Sequence, residues 1–312
     1  MIIEPEKGGL IDRMNPQPHA PNRAPPRLRP ARPGPRLAPK PAPARAPMPT
    51  PAPMPKSVAV APVEVSGELT DRPSVVTLTW NREPARLHGL LWSLSHQTLP
   101  PLEVVVVDAN TNARLKRQIA AVAVQFPLAR VVEAPRHDFS LAWGFNVGIK
   151  ASDERARYVI TTGTDMLFGS NVIGLLSKML CDRCMILSHC GFLVQGVDVS
   201  GDVHARWAQL CMRINPNPPV KISAGALIAA PRAWWHKVRG YDEVHHPFAF
   251  ADSDMWMRAK LDKVSVGFMV WGKAQVLHTW HPTSPLVAKV GGSRPDANWG
   301  IVRNPQGWGI LR

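Results

Sequence analysis

Apolar and polar positions alternate along residues 74–162 in a pattern that predicts short strands separated by helices. Ser74–Thr79 is a β-rich run, and Glu103–Val107 is an unbroken run of the kind found in parallel strands that are buried on both faces. Between them, leucines spaced three and four residues apart predict a helix over Arg86–Gln97. The region therefore begins with a strand, a helix and a second strand.

The same alternation continues for two more units. It predicts a helix over Ala113–Val124, a strand over Ala129–Glu133, a helix over Ser140–Lys150 and a strand over Tyr158–Thr162. Strands that are separated by helices in this way imply right-handed crossovers, and hence an α/β fold with a mostly parallel central sheet. In such a sheet, ligands bind beyond the carboxyl ends of the strands.

The residues that follow the predicted strands are therefore the first candidates for a binding site. They are Trp80, Asn81 and Arg82 after the first strand, Asp108 after the second, and Gly163, Thr164 and Asp165 after the fourth. Neither a GxGxxG nor a Walker A sequence follows the first strand, so the common phosphate-binding loops are missing from the sequence. Asn81, Arg82 and Asp108 could equally be ordinary turn residues.

Composition separates an N-terminal arm from the rest of the chain. Residues 1–62 hold 18 of the 33 prolines and carry 10 Lys+Arg against 3 Asp+Glu, whereas all 11 tryptophans come later. Because the arm has little apolar surface to bury, we expect it to be disordered with polyproline II character. It contributes half of the formal net charge of +14, so it is either a solvated linker or a contact to nucleic acid or a membrane.

The remaining 250 residues are enough for one large domain or two small ones. No apolar run reaches the roughly 18 residues that a membrane span needs, and the N-terminus lacks the pattern of a secretory signal. We therefore expect a soluble protein in the cytoplasm, without a transmembrane segment.

The four cysteines are too few for a disulfide scaffold in a chain of this length. Cys181 and Cys184 form a CxxC pair that is followed by His189, Cys190 and Cys211. This spacing leaves two interpretations open, a structural zinc site or buried free thiols.

Five segments resemble the glycosyltransferases of family 2, which have the GT-A fold. They are, in order, SVVTLTWNREPARLHGLLWSLSHQTLPPLEVVVVDAN, DFSLAWGFNVGIKAS, YVITTGTDM, GALIAAPRAWWHKVRGYDEVHHPFAFADSDMWMRA and VLHTWHP. The fourth segment is similar to the acceptor-side block that many inverting members share with galactosyl- and N-acetylgalactosaminyltransferases. The resemblance covers about residues 73–283, and the order of the segments makes it more specific than any one of them.

The resemblance implies an inverting, metal-dependent enzyme that moves a sugar from a UDP-sugar to an acceptor hydroxyl. It divides the chain into the arm at residues 1–62, a GT-A domain at 63–285 and a C-terminal tail at 286–312. Within the domain, residues 73–168 would form the nucleotide-binding half and residues 169–285 the acceptor half. The acceptor could be a glycan, a protein or a modified nucleobase.

Site residues follow from the resemblance and from the chemistry of the reaction. Carboxylate and imidazole can hold the Mn²⁺ or Mg²⁺ that offsets the charge of a departing diphosphate, which suggests Asp165, His278 and His281 as metal ligands. The resemblance implies that Asp252 is the general base. Asp254 and Trp280 are expected to contact the acceptor, the latter by stacking on a sugar. The expected nucleotide-sugar contacts are Thr79, Asn81, Arg82, Asp108, Gly163, Thr164 and Gly225.

The sequence also departs from the family pattern. Gly163 stands where the family has the first acid of Asp-X-Asp, and Ala109 and Ala251 replace acids beside Asp108 and Asp252. These departures keep two alternatives open: a sugar- or nucleotide-binding protein without catalysis, and a transferase held on DNA by the basic arm. Asp165 and Asp252 could instead be helix caps, before a helix near Ser170 and a helix over Met255–Leu261.

Overall fold

The computed structural model describes residues 68–109, 111–134, 139–216, 220–244, 251–269, 275–282 and 300–310. The N-terminal arm and its predicted disorder lie outside these ranges. No helix in the described part of the chain combines the length and the apolar character needed to cross a bilayer.

The first half of the described chain is a parallel sheet with crossover helices. Its strands are β1 (Ser74–Thr79), β2 (Glu103–Asp108), β3 (Ala129–Glu133) and β4 (Tyr158–Gly163), and they pair in the order β3-β2-β1-β4. All three pairings are parallel. The helices between them are α1 (Pro84–Ser95), α2 (Ala113–Ala123) and α3 (Leu141–Ala151).

The second half continues the same sheet with mixed strand directions. It adds β5 (Met166–Phe168), β6 (Cys184–Phe192), β7 (Val220–Pro231), β8 (Ser265–Met269) and β9 (Val276–His278). The order runs β3-β2-β1-β4-β7-β6-β9-β5, with β8 also on β6. Strand β7 is antiparallel to β4 and β6, and β5 is antiparallel to β9. The helices are α4 (Val172–Met179), α5 (Trp207–Cys211), α6 (Arg232–Val238) and α7 (Ala251–Leu261).

Alternate residues of the central strands feed two apolar layers, one on each face of the sheet. In β1, Val75 packs in one cluster with the leucines of α1, while Val76 packs in the other with Phe145 of α3. The valines of β2 divide between the same two clusters. This is the two-sided burial that the unbroken valine run predicted, because successive side chains of a strand point to opposite faces.

The α/β GT-A fold predicted from the sequence is confirmed, with small changes at element ends. Helix α1 begins at Pro84 rather than Arg86, since proline is favoured in the first turn. Ser140 caps α3 through its side chain, which accepts from the Trp143 backbone N–H, and so precedes the helix. Helix α7 includes Ala251, so Asp252 lies inside its first turn and is not the cap of a later helix.

Residues 300–310, which we name the C-terminal strap, pack into the domain and do not form a free tail. Trp308 is 4% exposed and belongs to the apolar cluster that contains α3 and α7. Asn304 is also buried, and its side chain bonds to the backbone of Arg239 and Tyr241. The division into a domain at 63–285 and a tail at 286–312 stays a prediction.

Cys181 and Cys184 form a disulfide at the start of β6. Both interpretations of this pair, zinc ligation and free thiols, are therefore wrong, because a disulfide has no thiolate to offer. Cys190 and Cys211 take no part in this disulfide. The cytoplasmic location stays a prediction.

Candidate active site

Strand pairing brings Asp165 together with the two late histidines. Asp165 lies in the turn between β4 and β5, and the register of β5 on β9 sets Met166 opposite His278. The Thr279 N–H donates to the Asp165 carbonyl at 2.8 Å, which extends the pairing past the strand. Asp165 Oδ2 consequently lies 3.8 Å from His278 Nε2 and 3.1 Å from His281 Nε2.

Charges and hydrogen bonds around Asp165 keep it ionised. Burial raises the pKa of this carboxyl, but the hydrogen bond with His281 and the charges of His278 and Arg82 outweigh burial and hold the pKa well below its ordinary value. Arg82 Nη2 lies 4.0 Å from Asp165 Oδ2. The cluster therefore contains a carboxylate at neutral pH.

The two imidazoles differ in their surroundings. Burial lowers the pKa of His278, whereas the hydrogen bond with Asp165 raises the pKa of His281. His281 Nδ1 lies 2.9 Å from the Pro282 carbonyl, which only accepts hydrogen bonds, so Nδ1 carries the proton. This hydrogen bond orients the ring with Nε2 towards Asp165. Histidines that bind metals commonly donate their other ring N–H to a carbonyl or carboxylate, which orients the ring in the same way.

This cluster fits a divalent cation. Asp165, His278 and His281 each offer one ligand atom, and these atoms all lie within 4.8 Å of one another. Among the described residues, this is the one group of three or more such side chains with that geometry. Imidazole is a better ligand for transition metals than for Mg²⁺, so the donor set favours Mn²⁺ over Mg²⁺.

Gly163 has a steric relation to the same carboxylate. A Cβ atom at this position would lie 2.5 Å from Asp165 Oδ1, closer than real side chains approach. The observed position of the Asp165 carboxylate therefore depends on glycine at 163. Gly163, which replaces the first acid of Asp-X-Asp, leaves the space that the carboxylate of the second acid occupies.

The predicted nucleotide contacts at the ends of β1 and β2 lie side by side, since Thr79 pairs with Asp108. Asp108 Oδ1 accepts the Thr111 N–H at 2.9 Å, so Asp108 does form the turn. Asn81 has a φ of 51°, and its Oδ1 accepts from Asn112. Thr79 Oγ1 is buried without a hydrogen-bond partner among the described residues, which leaves it available to a ligand.

Thr164 and Gly225 have different settings. Thr164 is buried between β4 and β5, next to Asp165. Gly225 lies in β7 where its pairing with β6 shifts register, between the pairs Leu187 with Ile228 and Ser188 with Ser223. The strand is therefore irregular around Gly225, and a sugar contact stays a prediction.

Asp252 lies in a second group, apart from the histidines. Its side chain is half-buried in the first turn of α7, and burial raises its pKa to about 6. Burial and, to a lesser extent, the charge of Asp252 raise the pKa of Tyr241 well above its ordinary value. The Tyr241 hydroxyl lies 2.7 Å from Thr161 Oγ1 on β4.

The two predicted acceptor contacts differ in exposure. Trp280 is 39% exposed beside His281, so its ring is accessible for stacking on a sugar. Asp254 is buried, and its two oxygens lie 2.8 Å from Arg258 Nε and 3.1 Å from Arg303 Nη2. This carboxylate fits a role in orienting its neighbours better than a role in holding an acceptor.

Sequence reasoning missed two residues that support the metal-ligand cluster. Arg86 Nη1 donates to Thr279 Oγ1 at 2.8 Å, which ties the start of α1 to the segment between the two histidines. Thr279 in turn bonds to the Asp165 backbone. The two residues lie 193 positions apart, so no local pattern in the sequence indicates their contact.

Comparisons with known proteins identify the family to which the chain belongs. The family model for glycosyl transferase family 2 matches residues 74–231, which is half of the chain. The chain therefore belongs to glycosyl transferase family 2. None of the curated proteins compared with the chain matches it in sequence.

Two solved structures share its fold. GalNAc-T7, solved with UDP, GalNAc and Mn²⁺, aligns with a TM-score of 0.52 and 16% identity over 70% of this chain. Residues 1–349 of S. aureus TarS, solved with UDP-GlcNAc, align with a TM-score of 0.51 and 15% identity over 70% of this chain. The match covers 45% of the GalNAc-T7 chain and 62% of the TarS chain. At such identities the likeness shows the fold alone.

Proposed function

We propose that the protein is an inverting, metal-dependent glycosyltransferase that moves a sugar from a UDP-sugar to an acceptor hydroxyl. The observation that carries this proposal is the cluster of Asp165, His278 and His281 beyond the carboxyl end of β4, where α/β sheets bind ligands. The similar structures support the donor class, since one was solved with UDP and Mn²⁺ and the other with UDP-GlcNAc.

Asp165, His278 and His281 would hold the cation, with Mn²⁺ preferred. When bound there, the cation would supply counter-charge to the diphosphate as it departs. Arg82 lies beside Asp165 and would add a second positive charge for the same group. The nucleoside would contact the ends of β1 and β2. There, Thr79 has a hydroxyl without a hydrogen-bond partner among the described residues, and Asp108 lies beside it.

Asp252 would act as the general base. Its carboxylate would take the proton of the acceptor hydroxyl while that oxygen forms a bond to the anomeric carbon. The bond from the anomeric carbon to the diphosphate breaks on the opposite face, and its electron pair leaves with UDP. A pKa of about 6 suits this role, because the group is largely ionised at neutral pH and still basic enough to accept a proton.

The direct test is release of UDP from a panel of UDP-sugars with Mn²⁺, with candidate acceptors identified by mass spectrometry. We expect Asp252→Asn to lower turnover by about 100-fold or more while binding of UDP and Mn²⁺ is retained. Asp165→Asn should instead weaken Mn²⁺ binding. Asp153→Asn, on an acid that pairs with Arg155 at the surface, is the matched control and should retain wild-type turnover.

The proposal fails if Asp252→Asn turns over as fast as the wild type, or if chelation of divalent metal leaves turnover unchanged. Calorimetry that shows UDP binding without transfer or hydrolysis would favour a binding protein of the same fold. Transfer to DNA that requires residues 1–62 would identify a modified base as the acceptor.

A further inference from the structure

A buried charge network lies between α7 and the C-terminal strap. Arg258 is 0% exposed, and its Nε lies 2.8 Å from Asp254 Oδ2. Arg303, from the strap, reaches the other oxygen of Asp254 at 3.1 Å and lies 4.0 Å from Asp242 Oδ2. Among the described residues, the network pairs two carboxylates, Asp254 and Asp242, with two guanidiniums, Arg258 and Arg303. Removing one member leaves a buried charge without compensation.

The next strap residue holds a different element. Asn304 Oδ1 accepts the Glu243 N–H at 3.0 Å, and its Nδ2 donates to the Arg239 carbonyl at 2.7 Å. Arg239 Nη1 donates back to the Asn304 carbonyl at 2.9 Å. Further along the strap, the Gly309 N–H donates to Glu243 Oε1 at 2.8 Å. The strap therefore fixes the turn formed by residues 239–244.

Two adjacent strap residues thus hold both flanks of one stretch of chain. Asn304 binds the turn before residues 245–250, and Arg303 binds the first turn of α7 after them, where Asp252 lies. Asp254 is two positions from Asp252 on the same helical turn, so its contact with Arg303 restrains how far that turn can rotate or shift.

We propose that Arg303 and Asn304 are positioning residues that hold Asp252 where it can accept the proton of the acceptor hydroxyl. This inference rests on the proposed function, because it gives the strap a role in catalysis through the base. Apolar packing of Met255 and Ala259 already secures the inner face of α7. The strap adds polar contacts at the end of the helix that carries Asp252.

The test compares Arg303→Gln, Arg303→Lys and Asn304→Ala with the wild type. Arg155→Gln is the matched control, because Arg155 forms a surface pair with Asp153 and is 45% exposed. The readouts are kcat and donor KM for UDP release, and the folded fraction by near-ultraviolet circular dichroism. Dividing kcat by the folded fraction separates misplacement of the base from loss of folded protein.

We expect Arg303→Gln to lower kcat per folded molecule by about tenfold or more, because small displacements of catalytic groups cost rate steeply. Donor KM should stay within about twofold, since the strap contacts α7 and the 239–244 turn rather than the ends of β1 and β2. Arg303→Lys keeps the charge of the network and should recover most of kcat. Asn304→Ala, which leaves no buried charge, should lower kcat per folded molecule by a factor of about five.

Should Arg303→Gln not fold, Arg303→Lys and Asn304→Ala decide the matter. The inference is overturned if these variants have wild-type kcat per folded molecule while Asp252→Asn is impaired. It is also overturned if donor KM rises in proportion as kcat falls. If Asp252→Asn itself has wild-type activity, the proposed function is what has failed, whatever the strap variants do.

Discussion

Two aspartates at the candidate site have the same side chain and opposite electrostatics. Asp165 is surrounded by His281, His278 and Arg82, and its pKa is held far below the ordinary value. Asp252 is desolvated in the first turn of α7, and its pKa rises to about 6. Cationic neighbours stabilise a carboxylate that stays charged, whereas desolvation makes one that accepts a proton readily. The environment of each acid thus suits a different task, cation binding and proton transfer.

The largest expected effect separates the two acids by pH. Because the base must be ionised, kcat should fall about tenfold per pH unit below about 6 and reach a plateau above it. Asp165 stays ionised throughout this range, and saturating Mn²⁺ keeps His278 and His281 deprotonated as ligands, so the decrease should reflect Asp252. The measurement is a pH profile of kcat at saturating donor and Mn²⁺. A flat profile between pH 5 and 7 would contradict the assignment of Asp252.

Replacing each acid by asparagine should change the free energy of unfolding in opposite directions. The folded-state pKa of Asp252 is raised, so folding is favoured at low pH and loses this contribution as pH rises from 3.8 to about 6. Asp252→Asn removes that cost, so the metal-free variant should gain about 1 to 2 kcal/mol of unfolding free energy at pH 7.5.

Asp165→Asn should behave in the opposite way. Its folded-state pKa is lowered, so its contribution is present above the ordinary pKa and lost as pH falls through the folded value. The metal-free variant should therefore lose about 1 kcal/mol at pH 7.5. Urea titrations of both variants in the presence of a chelator measure the two changes in unfolding free energy. Changes of the same sign would contradict the difference between the two acids.

A third effect tests the space that Gly163 provides. In Gly163→Ala the added Cβ would displace the Asp165 carboxylate, since the two would lie 2.5 Å apart. We expect Mn²⁺ affinity to fall by about tenfold, or about 1.4 kcal/mol, with the pH profile of kcat at saturating Mn²⁺ unchanged. Calorimetry measures the affinity, and Gly174→Ala, where a Cβ meets one side chain at 3.7 Å, is the control.

The smallest effect concerns Arg86, which supports the segment between His278 and His281 through its hydrogen bond to Thr279. Arg86→Met removes the hydrogen bond to Thr279 but leaves the three candidate ligands in place. We expect Mn²⁺ affinity to fall by about threefold, which is less than the net worth of one hydrogen bond to a charged group, because the lost bond positions the ligands and does not itself hold the metal. Equal loss of affinity in Arg86→Met and Asp165→Asn would show that Arg86 has a more direct role.

Local patterns predicted the nucleotide-binding half better than the rest. The strands Ser74–Thr79 and Ala129–Glu133 have their predicted bounds. The first is buried at every position, as its run of apolar and branched residues indicates, whereas the second lies at the edge of the sheet and is partly exposed. The pairing of β5 with β9 has no such signal, since both are three-residue strands far apart in the chain. His278 and His281 were found through a motif, but their approach to Asp165 depends on that pairing.

Other parts of the site could not be predicted for related reasons. Arg303 and Asn304 lie in a segment without periodicity. Asp254, the partner of Arg303, and Arg239, the partner of Asn304, lie 49 and 65 residues away, so only the folded chain identifies these contacts. The CxxC spacing is compatible with metal, thiol and disulfide chemistry, and the sequence does not choose among them. Asp252 and Asp254 occupy one helical turn, and only packing shows which of them is buried between arginines.

The position of β9 has a consequence for synthesis of the chain. The ends of β1, β2 and β4 are complete once residue 165 has left the ribosome, but β9 enters the sheet beside β5 and β6 more than 100 residues later. The strap at residues 300–310 follows later still. Domains generally fold as units, so the pairing of β5 with β9 has to wait until the C-terminal part of the chain has been made. The approach of His278 and His281 to Asp165 thus depends on the last strand of the sheet to be synthesised.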